Sequence, residues 1–214
     1  MGRLFPHGLT GIIFDCDGVM IDSRTANALF YNKVLAALGL PPMTPEQDAY
    51  TFMATARQSL EYIVPPGLHR RMDEILRTEV VYSRDIVPLL RIYPGYREFL
   101  ELARGHGLRL AVHTNRTAEG MQRVLDFLAL PSYFNPVVTA TEAAPKPAPD
   151  GVRLVLERWG ADPAQVLFVG DSPNDREAAA AAGVVFAAFG GGLQGPLAAD
   201  GYEELAGLLR NEWE

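Results

Sequence analysis

An apolar run, Gly11-Ile12-Ile13-Phe14, is closed by Asp15, Asp17 and Gly18, and reads as a buried parallel strand whose carboxyl end carries two acids. The period then changes. Between Thr25 and Leu38, the residues Leu29, Phe30, Val34 and Leu38 fall at helical spacing behind Ser23, a candidate N-cap, and Gly39 with Pro41-Pro42 ends that helix. Two further helical stretches, about Pro45 to Ile63 and Leu68 to Leu90, are divided by Pro65-Pro66-Gly67. No strand is expected between about residues 20 and 107.

From Pro94 the pattern alternates. Helices are predicted over Gly95 to His106, Ala118 to Leu128, Asp150 to Trp159 and Asn174 to Ala182. Strands are predicted over Leu108 to Thr114, at Val137-Val138, and over Val166 to Val169 and Val184 to Phe189. A last amphipathic helix sets Leu205, Leu208 and Leu209 on one side. Alternating strands and helices predict an α/β fold with a doubly wound parallel sheet, built from residues 1–20 and 91–214. The helical stretch 21–90 reads as a second small domain, a cap inserted over the carboxyl end of the first strand.

The chain of 214 residues is 48% hydrophobic and 21% charged, enough for a substantial core. Its formal charge of -7 gives no electrostatic footprint for nucleic acid or an anionic membrane, so an anionic ligand must be attracted by a local device. The single cysteine, Cys16, excludes an internal disulfide and a Cys-rich zinc site. Neither a signal peptide nor a membrane-length apolar run is present, and a cytoplasmic protein is expected. Met1-Gly2 resembles an acylation start, but Pro6 stands where that pattern needs Ser or Thr.

Residues two apart on an extended backbone point the same way, so Asp15 and Asp17 can face one small volume, where like charges need a cation or a shared proton. Three other predicted strands end in polar residues. These are His113-Thr114-Asn115, the loop Ala144-Pro145-Lys146-Pro147, and Gly170-Asp171-Ser172-Pro173-Asn174-Asp175. In a parallel sheet such ends gather along one edge. Asp15, Asp17, Asp171 and Asp175 would supply hard oxygen ligands suited to Mg²⁺. Thr114, Lys146 and the backbone N–H groups after Asp15 and Thr114 would supply donors for phosphate oxygens. Together these are what phosphoryl transfer asks for.

The segments FDCDGV, HTN, PKPAPD and VGDSPND, in this order, resemble the four motifs of the haloacid dehalogenase superfamily, over essentially the whole chain. MIDS after DGV and Pro94-Gly95 before a helix make the chain most similar to the phosphoglycolate phosphatase and β-phosphoglucomutase group, which has a Rossmann-like core and a helical cap. The resemblance implies that Asp15 is a nucleophile forming an aspartyl-phosphate, and that Asp17 protonates the leaving alcohol and then activates water. It implies that Thr114 and the Asn115 and Cys16 amides bind the phosphoryl group, and that Lys146 bridges that group and Asp15. Mg²⁺ would be held by the Asp15 carboxylate, the Asp17 carbonyl and Asp171, with Asp175 in support.

Arg57 resembles the arginine with which β-phosphoglucomutases read a distal phosphate, and Arg24 and Asn27 are further candidates for that pocket. His113 reads as a packed structural residue, and Cys16 as a small buried one. Dehalogenases of the superfamily lack an acid at the position of Asp17, which points to phosphoryl chemistry. The expected activity is Mg²⁺-dependent hydrolysis of a small phosphorylated metabolite. A sugar-phosphate mutase is the alternative, disfavoured because Asn27 and Thr114-Asn115 depart from the mutase pattern. A non-catalytic phosphate-binding relative is the third reading.

Overall fold

The computed structural model describes residues 4–130, 132–195 and 197–212; Met1 and Gly2, and with them the acylation-like start, lie outside these. Strand β1 (Gly11–Phe14) is buried at every position. After it come β2 (Ile21–Asp22), α1 (Arg24–Ala37), α2 (Pro45–Met53), α3 (Ala56–Ile63), α4 (His69–Thr78), α5 (Tyr82–Asp85) and β3 (Arg91–Ile92). The chain continues through α6 (Tyr96–Gly105), β4 (Arg109–Thr114), α7 (Ala118–Phe127), β5 (Val137–Thr139), α8 (Asp150–Trp159) and β6 (Val166–Gly170). It closes with α9 (Pro173–Ala182), β7 (Val185–Phe189), β8 (Ala198–Ala199) and α10 (Tyr202–Leu208).

Six strands form one parallel sheet in the order β5-β4-β1-β6-β7-β8, as the alternation predicts. Because side chains alternate along a strand, β1 serves two cores: Ile12 and Phe14 pack on one side of the sheet and Ile13 on the other. The first side is covered by Phe99 and Leu100 of α6, Val124 of α7 and Leu205 of α10. Val152 and Val155 of α8 and Ala178 and Ala179 of α9 cover the second. Small alanines let α9 lie close to the sheet. On either side of β1 the chain order reverses, so the crevice at its carboxyl end is the topological switch point where such folds bind ligands.

The stretch between β1 and α6 departs from expectation in three places. The predicted helix from Pro45 to Ile63 is two helices, because Thr55 caps a new one: its Oγ1 accepts from Gln58 N at 3.2 Å, and Gln58 Oε1 accepts from Thr55 N at 3.1 Å. Thr44 and Gln47 make the same capping box at the start of α2. Thr-x-x-Gln occurs at both places, so this break was open to reading. The stretch Leu68 to Leu90 is likewise broken into α4, α5 and short 3-10 turns. Finally, β2 and β3 lie inside the region expected to hold no strand, pairing antiparallel as Ile21 with Ile92 and Asp22 with Arg91. Two residues a side carry too little periodicity to be seen in sequence. The pair joins the points where the chain enters and leaves the helical stretch.

Two smaller expectations also change. Ser23 makes no side-chain cap on α1; its hydroxyl bonds Asp17 instead. In the last helix Leu205 and Leu209 are buried but Leu208 is exposed.

Candidate functional site

Asp15 follows β1 directly, its N–H donating to Val169 O of β6 at 3.0 Å. The chain then turns tightly: Cys16 O accepts from Met20 N (2.9 Å) and Ile21 N (3.1 Å), and Gly18 N donates to Ile21 O (2.9 Å). Gly18 is needed twice over. Its φ of +77° lies in the left-handed region, and a Cβ there would come within 1.9 Å of Asp171 Oδ2. The Asp171 carboxylate, from the end of β6, therefore rests against this turn. Cys16 is buried in the apolar core, and burial pushes its thiol well above the usual range, so it is no nucleophile.

Lys146, from the loop between β5 and α8, places Nζ 2.6 Å from Asp15 Oδ1 and 2.6 Å from Asp175 Oδ1, and donates to His113 O at 3.2 Å. Asp175 is held in turn by α9. Its Oδ2 accepts from Ser172 N (3.0 Å) and Ser172 Oγ (2.6 Å), completing a capping box in the first turn. Oxygens of Asp15, Asp171 and Asp175 lie within 4.8 Å of one another. Burial, with Asp175 and Asp17 adding to it against the pull of Lys146, pushes Asp15 up to about 7. Burial and the charges of Asp15 and Asp175 push Asp171 up to about 8. Burial opposes the charge on Lys146, but Asp15 and Asp175 outweigh it and raise its pKa.

Lys146 bonds two of these three carboxylates, and no ion pair to Asp171 is made among the described residues. The surplus negative charge, shown by the raised pKa values, is what a divalent cation relieves, and the all-oxygen donor set suits a hard one. Asp15 and Asp171 have oxygens to offer such an ion. Both oxygens of Asp175 are engaged by Lys146 and Ser172, which places this residue behind the other two as a support.

Asp17 lies outside that cluster and is compensated separately. Arg116 donates from Nε to Oδ2 at 2.7 Å and from Nη2 to Oδ1 at 2.6 Å, a two-pronged pair, while Asn27 Nδ2 (3.1 Å) and the Ser23 hydroxyl also donate to Oδ1. Burial opposes ionisation, but Arg116, Ser23 and Asn27 outweigh it and lower the pKa. Tyr82 donates its hydroxyl to Asn27 Oδ1 (2.7 Å), accepts from Arg116 Nη2 (3.0 Å) and sets its ring 5.5 Å below the guanidinium carbon. Arg116, Ser23 and Tyr82 were missed from sequence. Arg116 was within reach, since it follows Thr114-Asn115 and an acid at a buried strand end needs a cation; Tyr82, distant along the chain, was not.

Thr114 is buried at the end of β4, its Oγ1 accepting from Arg116 N at 3.2 Å. Asn115 ties three segments together: Oδ1 accepts from Lys146 N (2.8 Å), and Nδ2 donates to Lys146 O (3.2 Å) and to Met53 O at the end of α2 (3.1 Å). His113 packs against Gly151, where a Cβ would come within 2.1 Å of its ring, and burial brings its pKa down to about 3, so it stays neutral.

A cavity of about 350 Å³ joins these groups, lined by Asp15, Asp17, Thr114, Asn115, Lys146 and Asp171 and walled by Phe30, Phe52, Met53 and Tyr82 of the helical stretch. Arg57 is not brought to it. In the first turn of α3 its exposed guanidinium reaches Glu61 one turn on (2.5 Å) and Asp73 of α4 (3.1 Å), carboxylates that hold it on the outer surface. Arg24 also lies off the cavity, paired with Asp48, whereas Asn27 does line it.

A parallel sheet with a carboxylate cluster, a bridging lysine and a hydroxyl at its switch point defines a class of α/β enzymes that handle anionic groups beside a cation. The family model of the haloacid dehalogenase-like hydrolases matches residues 12–189, and the chain belongs to that family. It is 34% identical over 173 residues to a phosphoglycolate phosphatase of Aquifex aeolicus, covering 80% of each chain. It is 32% identical over 191 residues to a phosphoglycolate phosphatase of Nitrosospira multiformis, covering 84% of this chain and 82% of that one. A crystal structure of a HAD-superfamily hydrolase, subfamily IA, variant 1, from Geobacter sulfurreducens superposes with a TM-score of 0.79 at 35% identity, over 94% of this chain and all of that one. Among the described residues no helix is long and apolar enough to cross a membrane.

Proposed function

We propose that the protein is a Mg²⁺-dependent phosphatase of small organic phosphomonoesters of the phosphoglycolate type, working through an aspartyl-phosphate on Asp15. The observation that carries this reading is Lys146 Nζ bridging Asp15 and Asp175 at 2.6 Å each, with Asp171 beside them, where Asp15, Lys146 and Asp171 line a cavity. Mg²⁺, seated by the Asp15 and Asp171 carboxylates and the Asp17 carbonyl, would neutralise charge on the phosphoryl oxygens.

Asp15 attacks phosphorus, and the ester P–O bond breaks with its electron pair passing to the alcohol oxygen, which takes a proton from Asp17. Water then attacks the aspartyl-phosphate and gives a proton back to Asp17, the P–O bond to Asp15 breaks, and phosphate leaves. Thr114 Oγ1, the Asn115 and Cys16 amides and Lys146 Nζ hold the phosphoryl oxygens through both steps. Arg116 favours the ionised Asp17 that the second step needs.

Residues 21–90 act as a cap hinged at the β2–β3 pair. Asn115 Nδ2 (3.1 Å) and Asn174 Nδ2 (3.4 Å) both donate to Met53 O, drawing the cap over the site and limiting water there. The lone buried cysteine suits a reducing compartment, the cytoplasm. A panel of small phosphometabolites, assayed for phosphate release with Mg²⁺ and with Asp15→Asn as control, tests the reading. Release by the wild type alone is expected; no release from any of them rejects it.

A further inference from the structure

We infer that Arg116 determines specificity: it reads a second anionic group, a carboxylate carried one or two carbons from the ester oxygen. This rests on the phosphatase reading above. The cations lining the cavity are Lys146, Arg123 and Arg116. Lys146 is committed to Asp15, Asp175 and the phosphoryl group it is proposed to hold. Arg123 is an exposed residue paired one turn back along α7 with Glu119 at 2.5 Å. Arg116 differs from both, being half-buried with only part of its donor set in use.

Its Nε and Nη2 are taken by Asp17 and Tyr82. Nη1 has no hydrogen-bond partner among the described residues, and the residue lines the cavity. A guanidinium carries five N–H donors, and here Nε and Nη2 serve Asp17 and Tyr82 while Nη1 remains. Asp17, Tyr82 and the ring beneath the guanidinium carbon fix its plane before any ligand arrives, so little ordering is left to be done on binding.

Position then sets the reach. Asp17 is the group proposed to serve the ester oxygen, so a guanidinium bonded to that same carboxylate is placed at the ester end of the substrate. An anion carried near the ester is the one it is placed to meet.

The test compares 2-phosphoglycolate with ethyl phosphate, which has the same two carbons and no carboxylate, for the wild type, Arg116→Gln and Arg116→Lys at saturating Mg²⁺. The wild type is expected to prefer the carboxylated ester by at least about tenfold in kcat/KM, as a charge-assisted hydrogen bond provides. Arg116→Gln should bring the ratio to within about threefold of unity. Harm done through Asp17 falls on both substrates alike and cancels in the ratio, so a merely structural role would leave it unmoved. Arg116→Lys keeps a cation beside Asp17 but lacks the Nη1 donor; it should lose most of the preference, and it decides the matter if Arg116→Gln does not fold. A wild type without preference, or variants that keep it, would overturn the inference. Should neither ester be hydrolysed, the phosphatase reading fails separately, and the same ratio measured as binding to Asp15→Asn with and without Arg116→Lys decides the role of Arg116.

Discussion

Binding of Mg²⁺ should be strongly proton-linked. In the metal-free protein, burial and mutual repulsion hold Asp15 up to about 7 and Asp171 up to about 8, against an ordinary 3.8. Folded pKa values above the unfolded ones mean that the stabilisation from these groups is complete below about pH 4 and is lost as pH rises through about 7 and 8. A cation needs both groups ionised, so it must displace whatever protons they carry. With both values raised above 6, the pair should release more than one proton per Mg²⁺ at pH 6 and few at pH 9. Proton competition should therefore weaken the apparent affinity by more than about tenfold from pH 8 to pH 6. Calorimetric titration in two buffers of different ionisation enthalpy measures both quantities. Release below about 0.3 protons at pH 6, or an affinity changing less than about tenfold, would refute the claim that surplus carboxylate charge defines this seat.

Lys146→Met removes the shared partner of two buried carboxylates and should cost about 3–5 kcal/mol in urea unfolding, with kcat falling about 10²- to 10³-fold. Gly18→Ala puts a Cβ within 1.9 Å of Asp171 Oδ2 at a φ of +77°, and should weaken Mg²⁺ binding at least about tenfold in the same calorimetry. Ser172→Ala removes a cap from α9 and a donor from Asp175, lowering stability by about 1 kcal/mol and shifting Tm downward. Arg57→Ala, on the outer surface, should leave kcat/KM within about twofold; a larger rise in KM would return this residue to the site.

Legibility in the sequence followed the length scale of the signal. The parallel sheet could be read because β1, β4 and β6 each carry a buried run and each end in the polar residues that mark the carboxyl edge. Asp15, Lys146, Asp171 and Asp175 could be read for the same reason, since strand ends meet whatever helices lie between them. Pairings that depend on side-chain reach were hidden. Arg57 sits at a helix start that looks suitable for a distal anion, but nothing in one sequence says that Glu61 and Asp73 will claim it. Ser23 looks like a cap, and only the tight turn at Gly18 shows that its hydroxyl is delivered to Asp17.

The two acids that close β1 receive opposite treatment, and the division follows from which partners the fold supplies to each. Asp15 shares Lys146 with Asp175 and stands beside Asp171, so it remains undercompensated and depends on a cation. Asp17 has Arg116 to itself, with Asn27 and Ser23 in support, and carries its charge without one. On the proposed reading a metal drawn by charge would settle against Asp15 and Asp171 and leave the Asp17 side chain to the proton transfer assigned to it. This explains why the three-carboxylate cluster excludes Asp17 although it is only two residues from Asp15. On the same reading Arg116, paired with Asp17, would keep the proton-transfer group apart from the metal seat. Removing that arginine should redirect the Asp17 carboxylate toward the cation, so Arg116→Gln should bind Mg²⁺ more tightly while turning over more slowly.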